Sequence, residues 1–260
     1  DYCKGIKPIP QIALFYSTAD WKQKVNDIYR PFGVNGIRGI MNALLDGQQA
    51  VEVLMTHHME KRMEEYPVIV VPEWEVMEPE MISRLKEYVK KGGNLLVIGS
   101  EATVLFDDIL GVQGVGERGT SCLGFDNRFV DIQGKFREVR CEQGTEELAQ
   151  LYQTNDFRFP SGSAATIHKY GKGKVAGVYM NIGESYLSTT SPVFRDFLSE
   201  LIGNLFPEPL VSVKGSHRVH VIPSEKDGRM LIQLVNTSGD HANRSVKGID
   251  EIPELRDFNV

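Results

Sequence analysis

The stretch PVIVVPEWEVMEPEMISRLKEYVKKGGNLLVIGS (Pro67–Ser100) reads as strand, turn, helix, turn, strand. Val68-Ile69-Val70-Val71 is an unbroken apolar run, the mark of a strand buried on both faces of a parallel sheet. Glu78-Pro79 opens a helix, with proline where no amide donor is needed. Met81, Ile82, Leu85 and Val89 share one face, while Arg84, Lys86, Glu87 and Lys90 take the other. Lys90-Lys91 complements the helix dipole and Gly92-Gly93 supplies a left-handed stop. Asn94 to Ile98 is then the next buried strand. This is one crossover of an α/β domain, and it directs attention to the residues just beyond its strands.

Working back toward the first residue, Ile12-Ala13-Leu14-Phe15 is a strand, followed by a polar connection through Trp21, Tyr29 and Pro31. Gly36–Asp46 is an amphipathic helix with Ile37, Ile40, Met41, Leu44 and Leu45 on its face, stopped by Gly47. Val51, Val53 and Leu54 form a strand, and Thr56 caps a short helix carrying Met59 and Met63. The first hundred residues thus alternate four strands with three helices, which predicts a parallel sheet.

Forward of Glu101 the periodicity weakens. Val104–Leu110 reads as helix, and Gly111–Gly124, with five glycines, as loop. Arg128–Ile132 and Lys135–Arg140 read as a hairpin around Gln133-Gly134, and Glu146–Tyr152 as a short helix. Ala165–Lys169 and Lys174–Met180 flank Tyr170-Gly171-Lys172-Gly173 as a second hairpin. Pro192 starts a helix with a broad apolar face from Val193 to Leu205. After Phe206-Pro207-Glu208-Pro209 the pattern switches to period two, with Asp227-Gly228 as a hairpin turn. The fold expected is α/β, a doubly wound, mainly parallel, flavodoxin-like sheet over residues 1–207 with a β-hairpin insertion at about 111–170, then a small, incomplete all-β domain over 208–260.

Composition narrows the function classes. The 260 residues are 41% hydrophobic with a net charge of −6, enough for a full core and without the basic cluster of a nucleic-acid groove. Apolar runs are far shorter than the ~20 residues a membrane helix requires. Cys3, Cys122 and Cys141 lack metal-site spacing, and one pair at most can bridge, which leaves the compartment open between cytoplasm and periplasm or exterior. A start at Asp1-Tyr2-Cys3, without Met or signal peptide, reads as a piece of a longer protein.

Ligands of open α/β sheets sit beyond the carboxyl ends of the strands, which here offer Ser17, Glu73, Trp74, Ser100, Glu101, Asn181 and Glu184. Ser100 follows a buried strand as a nucleophile would, but Ile98-Gly99-Ser100-Glu101-Ala102 has one glycine before the serine and a glutamate after it, a poor match to a nucleophile elbow. Its candidate base, His168, falls on a hairpin strand, so a helix cap or turn residue is the better reading of Ser100. His57-His58 point about 100° apart on a helix and find Arg62 at i+4 of His58, a poor metal site. His217 and His220, three apart on a strand, face opposite ways. Glu73 with Trp74 has the makings of a sugar platform, though a tryptophan packed at an interface is the commoner use. Gly171-Lys172-Gly173 precedes a strand and is a turn, not a phosphate loop. No metal or cofactor is expected.

Tyr66–Pro72, Leu85–Leu95, Tyr170–Val175, the helix from Pro192 and Gly228–Asn236 together resemble the class I glutamine amidotransferase-like domain that follows catalytic barrels in bacterial glycoside hydrolases, in particular the β-galactosidase trimerisation domain. The resemblance spans most of the chain. Amidotransferases of this fold place a cysteine after the strand that here ends at Ile98, where this chain has Ser100-Glu101. In place of their histidine–proline–glutamate ending it reads Met180-Asn181-Ile182-Gly183-Glu184. Without nucleophile and base no acyl transfer follows. The resemblance implies a non-catalytic domain of a larger carbohydrate-active enzyme. Its partners would be an upstream catalytic barrel in the same chain, further copies of itself and a carbohydrate. Two rival readings are a stand-alone hydrolase using Ser100 and a sugar-binding module using Trp74 and Glu73.

Overall fold

The computed structural model describes residues 3–24, 34–119, 121–132, 134, 136–239, 252–257 and 259–260. Tyr29, Pro31, Gln133 and Lys135 of the readings above lie outside them.

The described chain runs β1 (Lys7–Pro8), β2 (Ile12–Tyr16), α1 (Thr18–Lys24), α2 (Val34–Asp46), β3 (Val51–Met55), α3 (Thr56–Arg62), β4 (Val68–Pro72), α4 (Pro79–Lys91) and β5 (Asn94–Ile98). Two short helices follow, α5 (Ser100–Val104) and α6 (Asp107–Leu110). Then come β6 (Val112–Arg118), β7 (Ser121–Phe125), β8 (Arg128–Ile132), β9 (Phe136–Cys141), β10 (Thr145–Tyr152), β11 (Pro160–Tyr170) and β12 (Gly173–Val178). The last elements are α7 (Gly183–Thr189), α8 (Pro192–Leu205), β13 (Val219–Lys226) and β14 (Arg229–Asn236).

Among the described residues the main sheet has nine strands in the order β3-β2-β4-β5-β12-β11-β10-β7-β8. The run from β3 to β12 is parallel, with Ile98 level with Pro72 on one side and Val178 on the other. From β12 onward every neighbour is antiparallel. The doubly wound, mainly parallel, flavodoxin-like sheet expected from the sequence is therefore incorrect: the sheet is mixed, and small β-sheets accompany it. The reason is connectivity. Helical crossovers stop at β5, and the strands from β6 to β12 come without intervening helices, so they pair as antiparallel neighbours.

Four local readings change with it. Glu146–Tyr152 is strand β10 rather than helix, paired with β7 and β11. The glycine-rich Gly111–Gly124 contains strands β6 and β7. β8 and β9 do not form a hairpin together: β8 pairs with β7, and β9 with β6 in a separate two-stranded sheet. The polar connection after β2 begins with helix α1.

β2, β4 and β5 are buried almost throughout, and one core extends from Ile12 to Leu205. α8 contributes Val193, Phe194, Phe197, Leu198, Leu201, Ile202 and Leu205 to it, each worth about 2 kcal/mol before its ordering cost. β1, β13 and β14 make a three-stranded sheet over a separate small core of Val213, Val219 and Val221. Asp46, at the end of α2, joins the two parts. Its carboxylate accepts the Tyr186 hydroxyl at 2.6 Å and lies 3.0 Å from His220 Nε2 of β13.

Candidate functional site at the strand ends

The carboxyl ends of β2, β4, β5 and β12 meet in a knot of polar contacts. Ser17, wholly buried, donates to the Val76 carbonyl at 2.7 Å and accepts the Asp20 N–H at 3.2 Å, capping α1. Asp20 is also buried, and its Oδ1 accepts the backbone N–H groups of Glu75 and Val76 at 3.0 Å each. The loop after β4 is thereby held from below. Trp74, 4% exposed, donates its indole N–H to the Phe15 carbonyl at 2.7 Å and packs edge-on against Tyr16.

Glu73 reaches across the sheet. Its backbone, at φ 28°, bonds the Ile98 carbonyl at 2.6 Å, and its Oε1 accepts the N–H groups of Ile182 and Gly183 at 2.7 Å each. A carboxylate at these N–H groups complements the positive end of α7. Burial nevertheless pushes the Glu73 carboxyl up from the ordinary carboxylate range; the two N–H bonds pull it down, and the Glu184 charge pushes it up further. Gly99, at φ 121°, turns the chain out of β5 between Glu73 and Asn181, and Asn181 Oδ1 accepts the Ser100 N–H at 3.3 Å. Asn35 of α2 donates to Glu184 at 3.3 Å.

A cleft of about 320 Å³ remains above this knot, lined chiefly by Asn35, Glu73, Trp74, Glu75, Asn181 and Glu184. Four of the residues selected from the sequence thus meet at one place. Ser17 supports the loop from beneath, Ser100 contributes a backbone bond, and Glu101 is exposed on α5 away from the cleft lining. Sequence reading missed Asp20 and Asn35, and as a Glu73/Glu75 pair it takes Glu75 for a solvated turn residue. The Ser17-Thr18-Ala19-Asp20 spacing, a helix-capping pattern, was a signal for Asp20.

The cleft offers carboxylates and amides. His168, the base considered for Ser100, lies level with Val175 and Leu95, toward the opposite end of the strands, and contacts Thr145 at 2.9 Å. With its ring buried, Trp74 presents no open face for a sugar to stack upon. Among the described residues no group of three His, Cys, Asp or Glu side chains is placed to hold a metal ion, and no helix is long and apolar enough to cross a membrane.

The model of the β-galactosidase trimerisation domain family matches residues 50–205, more than half of the chain. The chain belongs to that family. This trimerisation domain is a non-catalytic accessory domain of the kind found in GH42 β-galactosidases. Its fold is similar to the GH42 β-galactosidase Gan42B of G. stearothermophilus, at 16% identity and TM-score 0.66 over 88% of this chain and 34% of that one. The β-galactosidase of Bacillus circulans sp. alkalophilus matches at 15% identity and TM-score 0.66, over 92% of this chain and 37% of that one. The α-L-fucosidase isoenzyme 2 of Paenibacillus thiaminolyticus matches at 13% identity and TM-score 0.72, over 98% and 41%. The trimerisation domain therefore spans 34% to 41% of the length of these enzymes. The amidotransferase part of the resemblance is not shown by them. No curated protein matches the chain by sequence.

Proposed function

We propose that this trimerisation domain works within a larger glycoside hydrolase chain, holding copies of that chain together and bordering the active site of a catalytic domain in the same polypeptide. The observation that carries the reading is the family match over residues 50–205. The geometry supports it: the strand ends are cross-linked by internal hydrogen bonds into a rigid surface, as suits a domain that positions others. We divide the chain after Pro207, in keeping with its two separate cores. The glycosidase carboxylates would then belong to the catalytic domain.

Two measurements on source material test this. An antibody to the domain should detect a polypeptide far heavier than 29.2 kDa. Light scattering on the purified native chain should return three times that polypeptide's mass. A native chain that is monomeric at micromolar concentration overturns the assembly reading.

A further inference from the structure

At the other side of the main sheet, away from the strand-end cleft, β7, β8 and β10 carry an aromatic corner. Phe129 of β8, Tyr152 of β10 and Phe157 of the β10–β11 loop form a three-ring cluster. Phe129 and Phe157 are stacked at 4.0 Å, and Tyr152 meets both edge-on at 5.4 and 5.2 Å. The cluster lies flat on β7 because position 124 is glycine: a Cβ there would come within 2.4 Å of the Tyr152 ring and 2.8 Å of Phe157. Phe157 is nonetheless 42% exposed, and Phe159, two residues on, is 64% exposed.

The loop presenting these rings is hydrogen-bonded within itself. The Asp156 carboxylate accepts the Arg158 backbone N–H at 3.0 Å and bonds its guanidinium at 2.7 Å, and that guanidinium sits over the Phe159 ring at 5.5 Å. Among the described residues β8 closes the sheet order, so the corner stands at its edge. Exposed aromatic side chains beside an arginine are the composition of interface centres. Such local bonds reduce the conformational freedom the loop loses on docking. Water gains nothing from such a ring, whereas a partner surface does.

We propose that this corner, centred on Phe157 and Phe159, is a contact onto a second copy of this chain. The inference rests on the assembly reading: the family is one of trimerisation domains, and a closed trimer needs a heterologous contact surface on each copy. It goes further by naming that surface.

The test uses the full native chain. Phe159→Asp removes the exposed ring, whose neighbour in the structure is Arg158, and leaves the three-ring cluster in place. Dilution light scattering should show its assembly dissociating at a concentration at least tenfold higher than wild type, with an unchanged circular dichroism spectrum. Hydroxyl-radical footprinting of the unsubstituted chain should find Phe157 and Phe159 protected when assembled and reactive after dilution below the dissociation point. Wild-type assembly in Phe159→Asp, or equal reactivity in both states, overturns the proposal. Protection of the two rings by galactose or fucose without a change of mass does so as well, assigning the corner to a sugar. A wild-type chain that is itself monomeric fails the assembly reading first, so the two failures are distinguishable.

Discussion

Glu73 commits one carboxylate oxygen to two backbone N–H groups while its chain is folded into the sheet end. Because burial raises its folded-state pKa above the ordinary 4.5, the folded chain holds this proton more tightly than the unfolded chain. The corresponding stability is fully present below the ordinary value and is lost as pH rises through the raised one. Glu73→Gln keeps the carbonyl acceptor and removes the buried charge. Its melting temperature should exceed that of wild type at about pH 8, and the difference should close as pH falls to about 4. A constant offset across that range would contradict the account. Cysteine reactivity gives a second check at this scale. Cys122 is pushed up to about 11 by burial and by its Asp131 partner, and Cys141 is raised by burial and by Glu147, whereas Cys3 is exposed. A thiol reagent at about pH 8 should label Cys3 first, and the other two rapidly only after unfolding. Ser100→Ala should shift stability by less than about 0.5 kcal/mol and leave any glycosidase activity of the full chain unaltered. A collapse of that activity would restore Ser100 as a nucleophile.

Helices α2 and α7 cross so closely that a Cβ on Gly39 would fall 1.7 Å from the Gly183 carbonyl oxygen, a backbone atom that cannot swing aside. Gly39→Ala should therefore cost about 3 kcal/mol or more in urea unfolding. Gly203 of α8 has nothing within 4 Å of its missing Cβ, and Gly203→Ala should stabilise by up to about 1 kcal/mol. Equal effects at the two positions would refute the crossing. Elements were legible where one pattern acted alone. The amphipathic faces of α2, α4 and α8 and the Gly171 and Gly228 turns formed as read. Glu146–Tyr152 was not legible, because its Glu, Leu and Gln residues favour a helix while β7 and β11 on either side impose a strand. Glycines 111–124 misled for a different cause: Gly114 and Gly124 make room for Arg137 and for the Tyr152 ring inside strands, and are not turn residues.

For the molecule as a whole, the same limit explains the fold class. Local patterns specify each strand but not its neighbour, so the parallel first half carries no sign of the antiparallel half beyond β12. The candidate site shows the converse. Strand ends read from hydrophobic runs located Glu73, Trp74, Asn181 and Glu184 together, with Glu75 beside them in the same loop, while Asn35 of α2 arrives through tertiary folding alone. The two cores also differ in size, and amides of β13 and β14 should exchange with solvent before those of β2, β4 and β5. Simultaneous exchange would mean that the small sheet opens only with the large one. Finally, β5 pairs with β4 on one side and with β12 on the other, and β12 follows it only after the whole β6–β11 excursion. During synthesis the ribosome releases β5 long before its second partner exists, leaving a bare hydrophobic strand edge on the nascent chain. Translation speed through the codons for Gly99 to Lys172, and the chaperones waiting at the exit tunnel, thus become determinants of how much of this protein a cell can make.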